Sequence, residues 1–154
     1  ERYDIIMMHH SLEHLPNQHN VIGRIDQLLV PEGQLLIRIP VTSEDLFNKY
    51  GVNLASLDAP RHFFIHSIKS IEMLLKNHGF FIKKIIYDTE LFDITGSEQY
   101  VRDISMVDKR SYSFNKKNSV FSKKEIANFK KFTKEINAKN QGASVALYIE
   151  RENK

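Results

Sequence analysis

Two apolar runs of strand length, separated by one helical segment, occupy the first forty residues of the chain. Residues 3–8 are almost continuously apolar, which is typical of a strand covered on both faces in a parallel sheet. Apolar residues then recur at helical intervals from Val21 to Leu29, and the breaker sequence Pro31-Glu32-Gly33 is expected to end this helix. Because residues 34–39 form a second apolar run, the pattern predicts a βαβ unit with parallel strands and a right-handed crossover.

A second helix and two more strands are predicted further along the chain. Residues 41–66 lack a clear period and form a long loop, which is uncommon in a compact domain unless the loop is functional. Ser67 is a candidate N-cap for a helix that stops before Gly79, and residues 80–87 form a third strand. Residues 143–151 alternate between apolar and other side chains, as a half-buried strand does.

These elements predict an α/β fold in a single domain over residues 1–154. We expect a βαβ-loop-αβ core in residues 1–88, an irregular segment followed by a helix in residues 89–142, and the last strand in residues 143–151. The helix carries many lysines, which we interpret as a solvated face, with a patch for an anionic partner as the alternative.

Composition narrows the classes of function. With 154 residues, of which 42% are hydrophobic, the chain is long enough for one domain with a core of its own. The net charge of +3 does not imply nucleic acid, and no apolar stretch approaches the length of a membrane span. Since the chain has no cysteine, it has neither disulfides nor thiolate metal ligands, and we expect a cytoplasmic location without membrane or nucleic-acid partners.

Three histidines and a glutamate follow the first predicted strand, where α/β sheets usually place their ligand sites. The residues are His9, His10, Glu13 and His14. A second group, Asp58, Arg61 and His62, lies near the end of the long loop. Here His62 is a candidate general base, because an unperturbed histidine titrates near neutral pH. The alternative is structural, with Arg61 paired to Asp58 and His62 acting as a loop hydrogen-bonding residue.

Three segments together resemble class I S-adenosylmethionine-dependent methyltransferases, of the ubiquinone-biosynthesis-like or polysaccharide-cluster type. Tyr3-Asp4-Ile5-Ile6, followed by Leu12-Glu13-His14-Leu15, resembles the fourth conserved motif of that family. Residues 28–35 resemble its L-L-x-P-G-G-x-L pattern, with Glu32 in place of the first glycine. The sequence D-x-P-R-H before a serine-capped helix, present from Asp58, is a third shared feature.

The resemblance implies the second half of a Rossmann-like methyltransferase sheet, with parallel strands, an antiparallel last strand and flanking helices. It implies methyl transfer to an oxygen or nitrogen of a small-molecule or sugar acceptor. His9 and His10 would lie against the cofactor, and His62 and His10 are the catalytic candidates. The glycine-rich loop that holds most of the cofactor in the family has no counterpart here, so we expect weak or absent S-adenosylmethionine binding by this chain, which we take to be a fragment.

Two alternatives remain open at this stage. The spacing His10-x-x-Glu13-His14 resembles the Glu-x-x-Glu-His of metal-dependent O-methyltransferases, and it predicts a divalent metal held by His10, Glu13, His14 and His62, with His66 as a substitute for the last. A zinc-hydrolase motif is disfavoured, because a strand runs into it and Pro16 follows. The other alternative is a non-catalytic remnant that acts as a binding or dimerisation module. In either case, the exposed edge of the first strand predicts a homodimer.

Overall fold

The computed structural model describes residues 1–152, which form a mixed α/β structure with four strands and five α-helices. The strands are β1 (Tyr3–His9), β2 (Leu29–Pro40), β3 (Phe80–Tyr87) and β4 (Ser144–Arg151). The helices are α1 (Gln18–Leu28), α2 (Glu44–Tyr50), α3 (Ile68–Lys76), α4 (Leu91–Tyr100) and α5 (Lys123–Ala138). Short 3₁₀ turns lie at Leu12–His14, Gly51–Asn53 and Ala55–Leu57. The α/β prediction is confirmed.

One four-stranded sheet has the order β1-β2-β4-β3. The strands β1 and β2 pair in parallel, with Met7 opposite Leu36, which confirms the predicted βαβ unit. The strand β4 is inserted between β2 and β3 and runs antiparallel to β2, with Leu147 opposite Ile37. The last strand therefore has the antiparallel place in the sheet that the sequence predicted.

The breaker Pro31-Glu32-Gly33 lies inside β2 and does not end α1, so the predicted helix boundary was wrong. Leu29 already pairs with Tyr3, and the next pair along the ladder joins Gln34 to Ile5. The residues between Leu29 and Gln34 therefore form a bulge in β2. A Cβ atom on Gly33 would lie 2.7 Å from Cγ of Leu29 and 3.1 Å from the backbone oxygen of Asp4. Glycine is favoured here because a side chain would collide with that of Leu29 in the same strand and would crowd the backbone of β1.

The faces of the sheet differ in burial. Alternate residues of β2 and β4 are fully buried; they are Leu35, Ile37, Ile39, Val145, Leu147 and Ile149. By contrast, Ile5 and Met7 of β1 are 60% and 69% exposed. The expectation that β1 is covered on both faces was therefore wrong, because β1 lies at one end of the strand order and no described element covers these two side chains.

The chain divides into two compact units. The first unit contains residues 1–42, 59–86 and 144–154, and so includes most of the sheet with α1 and α3. In this unit, Ser67 caps α3 by accepting a hydrogen bond from the backbone nitrogen of Ser70, as predicted. Gly79 has φ +73° and ends the turn after α3, which confirms its predicted place beyond the helix.

The second unit contains residues 43–58 and 87–143 and has its own apolar core. This core joins Leu46, Tyr50, Leu54, Ile94, Ile136 and Ala143. The helices α2 and α4 lie in segments that were expected to be irregular, so that expectation was wrong for both. In α4 the buried residues Thr95, Ser97 and Gln99 are polar, and this removes the apolar period by which a helix is recognised. No helix within residues 1–152 is long and apolar enough to cross a membrane.

Candidate functional site

The chain leaves the sheet at His9 and His10, directly after β1. His10 adopts a positive φ of 47°, which is uncommon for a residue with a side chain and turns the backbone out of the strand. The backbone nitrogen of His10 donates a hydrogen bond to the oxygen of Arg38 at 2.9 Å, so this turn is fixed to β2. The Nε2 atom of His9 accepts a hydrogen bond from the Arg38 guanidinium, also at 2.9 Å. Both cofactor-binding candidates therefore stand at the carboxyl end of β1.

The environment of His10 favours its neutral form. Burial lowers the pKa of His10 below its usual value, and the positive charge of Arg38 lowers it further, while the Glu13 carboxylate acts in the opposite direction. At neutral pH the imidazole is therefore able to accept a proton. The Arg38 side chain was missed in the sequence, although a single arginine within the apolar run of β2 was a signal that could have been used.

Glu13 is the most unusual group of the site. It lies on the 3₁₀ turn Leu12–His14 with 1% of its surface exposed, yet neither carboxylate oxygen accepts a hydrogen bond from any residue between 1 and 152. The nearest ion-pairing group is Nδ1 of His10, 3.4 Å from Oε1, in a geometry that does not make a hydrogen bond. A buried charge is normally paired or bound to a metal, so we expect this carboxylate to bind a further ligand.

His14 and His62 lie beside Glu13. The Nδ1 atom of His14 is 2.9 Å from the backbone oxygen of Arg61. Since a carbonyl can only accept, Nδ1 carries the proton, and in the neutral ring Nε2 then has the lone pair. The His14 and His62 ring centroids are 4.8 Å apart. One ligand atom from each of Glu13, His14 and His62 lies within 4.8 Å of the others, so the structure brings together three of the four residues proposed as metal ligands.

Backbone hydrogen bonds attach the long loop to the 3₁₀ turn. The nitrogen of Phe63 donates to the oxygen of Glu13 at 2.8 Å, next to the bond between His14 and Arg61. Residues nearly fifty positions apart are thereby held together at one end of the sheet. His10 remains adjacent to this group through Glu13 but is not one of the three clustered ligands.

His66 has a different environment from His62. Its Nε2 atom is 2.6 Å from Oε1 of Gln18, and its Nδ1 atom is 3.0 Å from the hydroxyl of Ser70. Gln18 is buried and donates through Nε2 to the oxygen of Leu12 at 2.8 Å. This chain of hydrogen bonds connects His66, two residues before α3, to the 3₁₀ turn that carries Glu13. His66 therefore has a structural role in holding the loop. The hydrogen bonds that Gln18 makes to it and to Leu12 were not predicted from the sequence.

Comparison with known proteins identifies similar folds. A family model described as a methyltransferase domain matches residues 1–85. A search of curated proteins finds no match. Among solved structures, a SAM-dependent methyltransferase from Archaeoglobus fulgidus is 17% identical with a TM-score of 0.51, over 98% of this chain and 60% of that one. The mitomycin 7-O-methyltransferase MmcR is 12% identical with a TM-score of 0.52, over 96% of this chain and 29% of that one. The chain thus spans less than two thirds of either structure.

Proposed function

Because the chain belongs to the methyltransferase-domain family, we propose that it forms the acceptor-side half of an S-adenosylmethionine-dependent methyltransferase. The observation that supports this most is the match over residues 1–85, because the matched segment contains both β1 with its polar end and the loop that carries His62. The proposed acceptor is an oxygen or nitrogen of a small molecule or sugar.

The residues present fit one part of the cofactor. His9 and His10, at the end of β1, would lie against its methionine portion, where the positive φ of His10 turns the backbone out of the strand. The sequence has no G-x-G-x-G segment to hold the remainder, so we propose that this chain alone binds the cofactor weakly. When bound, S-adenosylmethionine supplies an activated methyl group on sulfur.

The chain's own residues would position the acceptor and receive its proton. As an acceptor oxygen forms its bond to the methyl carbon, the carbon–sulfur bond breaks and the acceptor proton must leave. His62, held beside the 3₁₀ turn, is the proposed general base, and the neutral imidazole of His10 is a second one. Arg38 orients the imidazole of His9 through its hydrogen bond to Nε2.

Transfer of a labelled methyl group tests these roles in the protein encoded by the complete reading frame, with hydroxylated and amino acceptors. We expect His62→Gln and His10→Gln to lower kcat by about 10²-fold or more, the usual contribution of a general base. Lys124→Gln, at an exposed position on α5, is the control, since it also removes one basic side chain but lies outside the site. Unchanged kcat in both site variants would contradict the proposed roles.

The unpaired carboxylate of Glu13 favours a second candidate, a metal-assisted O-methyltransferase. Carboxylate oxygen and neutral imidazole are both common ligands of divalent ions, and the proton on Nδ1 of His14 is held by a backbone carbonyl, as is usual for a metal-binding histidine. A bound ion would polarise the acceptor oxygen. The donor set of Glu13, His14 and His62 therefore fits a metal, with His10 beside it.

Calorimetric titration of Mn²⁺ and Zn²⁺ separates this candidate from metal-free transfer, in a His19→Gln/His78→Gln background that removes the pair of facing histidines elsewhere in the first unit. The candidate predicts that Glu13→Gln and His62→Gln each weaken binding at least tenfold, whereas Glu32→Gln, at an exposed position in β2, does not. A chelator should then abolish methyl transfer by the whole protein. Equal metal affinity in all three variants would remove this candidate and leave metal-free transfer in place.

The exposed side chains of β1 favour a third candidate, a non-catalytic dimerisation module. Ile5 and Met7 are apolar and more than half exposed on a strand at the end of the sheet order, where a second copy could add its own β1. We expect a homodimer that Met7→Lys converts into a monomer, while Val52→Lys, at an even more exposed apolar residue, does not. A monodisperse monomer of the parent chain in solution scattering would refute this interface.

A further inference from the structure

Two histidines outside the candidate site face each other across different elements of the first unit. His19 lies in the first turn of α1, and His78 lies in the turn between α3 and β3. The Nδ1 atom of His19 is 3.2 Å from the Nε2 atom of His78, and the ring centroids are 5.4 Å apart. Neither residue belongs to the group around Glu13.

The position of the His78 imidazole is held by its surroundings. A Cβ atom on Gly23 would lie 3.5 Å from two ring atoms of His78, so this imidazole packs against α1 one turn after His19. Hydrogen bonds from the nitrogen of His78 to the oxygen of Leu75, and from that of Gly79 to the oxygen of Lys76, hold the turn that presents it. The two rings therefore face each other because the helix and the turn are both well defined.

We propose that His19 and His78 form a two-histidine surface site for a first-row transition metal ion of the Zn²⁺ type. Two nitrogens that each lie about 2.05 Å from a tetrahedral Zn²⁺ are separated by about 3.3 Å, close to the distance observed here. Imidazole nitrogen is a suitable ligand for Zn²⁺, Ni²⁺ and Cu²⁺, and Cu²⁺ is expected to bind with the highest affinity of the three. Alkaline-earth ions, which prefer oxygen ligands, should not bind.

The protonation states of the two rings allow a metal ion to replace the hydrogen bond between them. Without metal, one ring donates its N–H to the other, so one of the two facing nitrogens carries a proton. In the bound state both facing nitrogens need a lone pair, and each neutral ring keeps its single proton on the other nitrogen. His19 is exposed and His78 is half-buried, so water can reach the remaining coordination positions from the side of His19.

A metal at this site would join the two segments that carry the candidate active site. The helix α1 follows the 3₁₀ turn with Glu13 and His14, and the turn at His78 ends α3, which follows the loop with His62. An ion bound to both histidines would therefore hold α1 against the end of α3. Because such an ion binds only the folded arrangement, it would raise the midpoint temperature of unfolding in a concentration-dependent manner.

The test is titration of the 154-residue chain with ZnCl₂ and NiCl₂, in a His14→Gln/His62→Gln background that removes both histidines of the group around Glu13. We expect one equivalent of either ion to bind, and His19→Gln and His78→Gln each to weaken binding at least tenfold. His9→Gln, which also removes one histidine, should bind like the background. MgCl₂ should give no heat of binding.

Unfolding temperatures in EDTA show whether each variant is folded, and the exposed position of His19 on α1 makes His19→Gln the less disruptive change. Metal binding that is equal in the background, in His19→Gln and in His78→Gln would overturn the proposal, as would the absence of binding in the background. Either result leaves the methyltransferase proposal unaffected, because that proposal assigns no role to His19 or His78.

Discussion

Replacement of Glu13 by glutamine tests the interpretation of the site through stability, without any substrate. The carboxylate is 1% exposed and accepts no hydrogen bond from the described residues, so folding removes a charge from water with little compensation. Its ion pair with His10, at 3.4 Å, is weak because the neutral form of His10 is favoured. In the absence of metal, the neutral amide should therefore be less costly to bury than the carboxylate.

The expected gain follows from typical costs of burial. Burial of an unpaired ion costs several kcal/mol, whereas burial of an unpaired amide costs about 1–3 kcal/mol. We therefore expect Glu13→Gln to raise the free energy of unfolding by about 2 kcal/mol in EDTA. For a chain of this size, that corresponds to a rise of about 4–8 °C in the unfolding temperature. Thermal unfolding followed by circular dichroism is sufficient to resolve it.

Addition of metal should make the parent chain more stable than Glu13→Gln. A divalent ion at 100 times its dissociation constant stabilises the folded chain by about 2.7 kcal/mol, and Glu13→Gln should lose most of this increment. Glu32→Gln, at an exposed position in the bulge, is the matched control and should change stability by less than about 0.5 kcal/mol in either condition. A Glu13→Gln variant that is clearly destabilised in EDTA would refute the reasoning, because the carboxylate would then be well satisfied without metal.

Three further predictions concern the scaffold, each measured by urea unfolding. Gly33→Ala should destabilise the chain by about 1–3 kcal/mol, because its Cβ would collide with Leu29; a neutral effect would show that the bulge adapts. Burial lowers the pKa of His66, so its contribution to stability is present above the unfolded pKa of about 6.5 and is lost as the pH falls below it. His66→Gln should therefore lose less stability than the parent between about pH 7.5 and pH 5, and an equal loss would contradict this. Asn137→Ala removes hydrogen bonds to both the nitrogen and the oxygen of Thr89 and should cost about 1–3 kcal/mol, and a loss below 0.5 kcal/mol would contradict that estimate.

The strands β2 and β4 were predictable because apolar periodicity and burial agree along most of each strand. The helix α3 was also predictable, since a serine cap and a glycine stop enclose its apolar positions. The bulge was not, because Pro31 and Gly33 are equally compatible with a turn, and only the pairing of Leu29 with Tyr3 distinguishes the two. The helix α4 was not predicted because its buried face carries polar residues instead of an apolar period. Their hydroxyl groups are satisfied by the helix's own backbone, as where Ser97 donates to the oxygen of Asp93 at 2.6 Å.

For the candidate site, sequence spacing indicated the ligand types but not their partners. The proximity of Glu13 and His14 follows from their positions in the chain, and the resemblance to a known family pointed to His62. The unpaired state of the Glu13 carboxylate and the support of the loop by Gln18 depend on tertiary structure. No local pattern reports either, because both arise from residues that are distant in sequence.

The most direct test of the central claim is calorimetric titration of S-adenosylhomocysteine into this chain and into the protein encoded by the complete reading frame. We predict that the longer protein binds the ligand and that the 154-residue chain binds it weakly or not at all, since the proposed contacts of His9 and His10 would hold only one end of it. If neither protein binds S-adenosylhomocysteine, the methyltransferase function is contradicted, and a dimerisation module would be the remaining candidate.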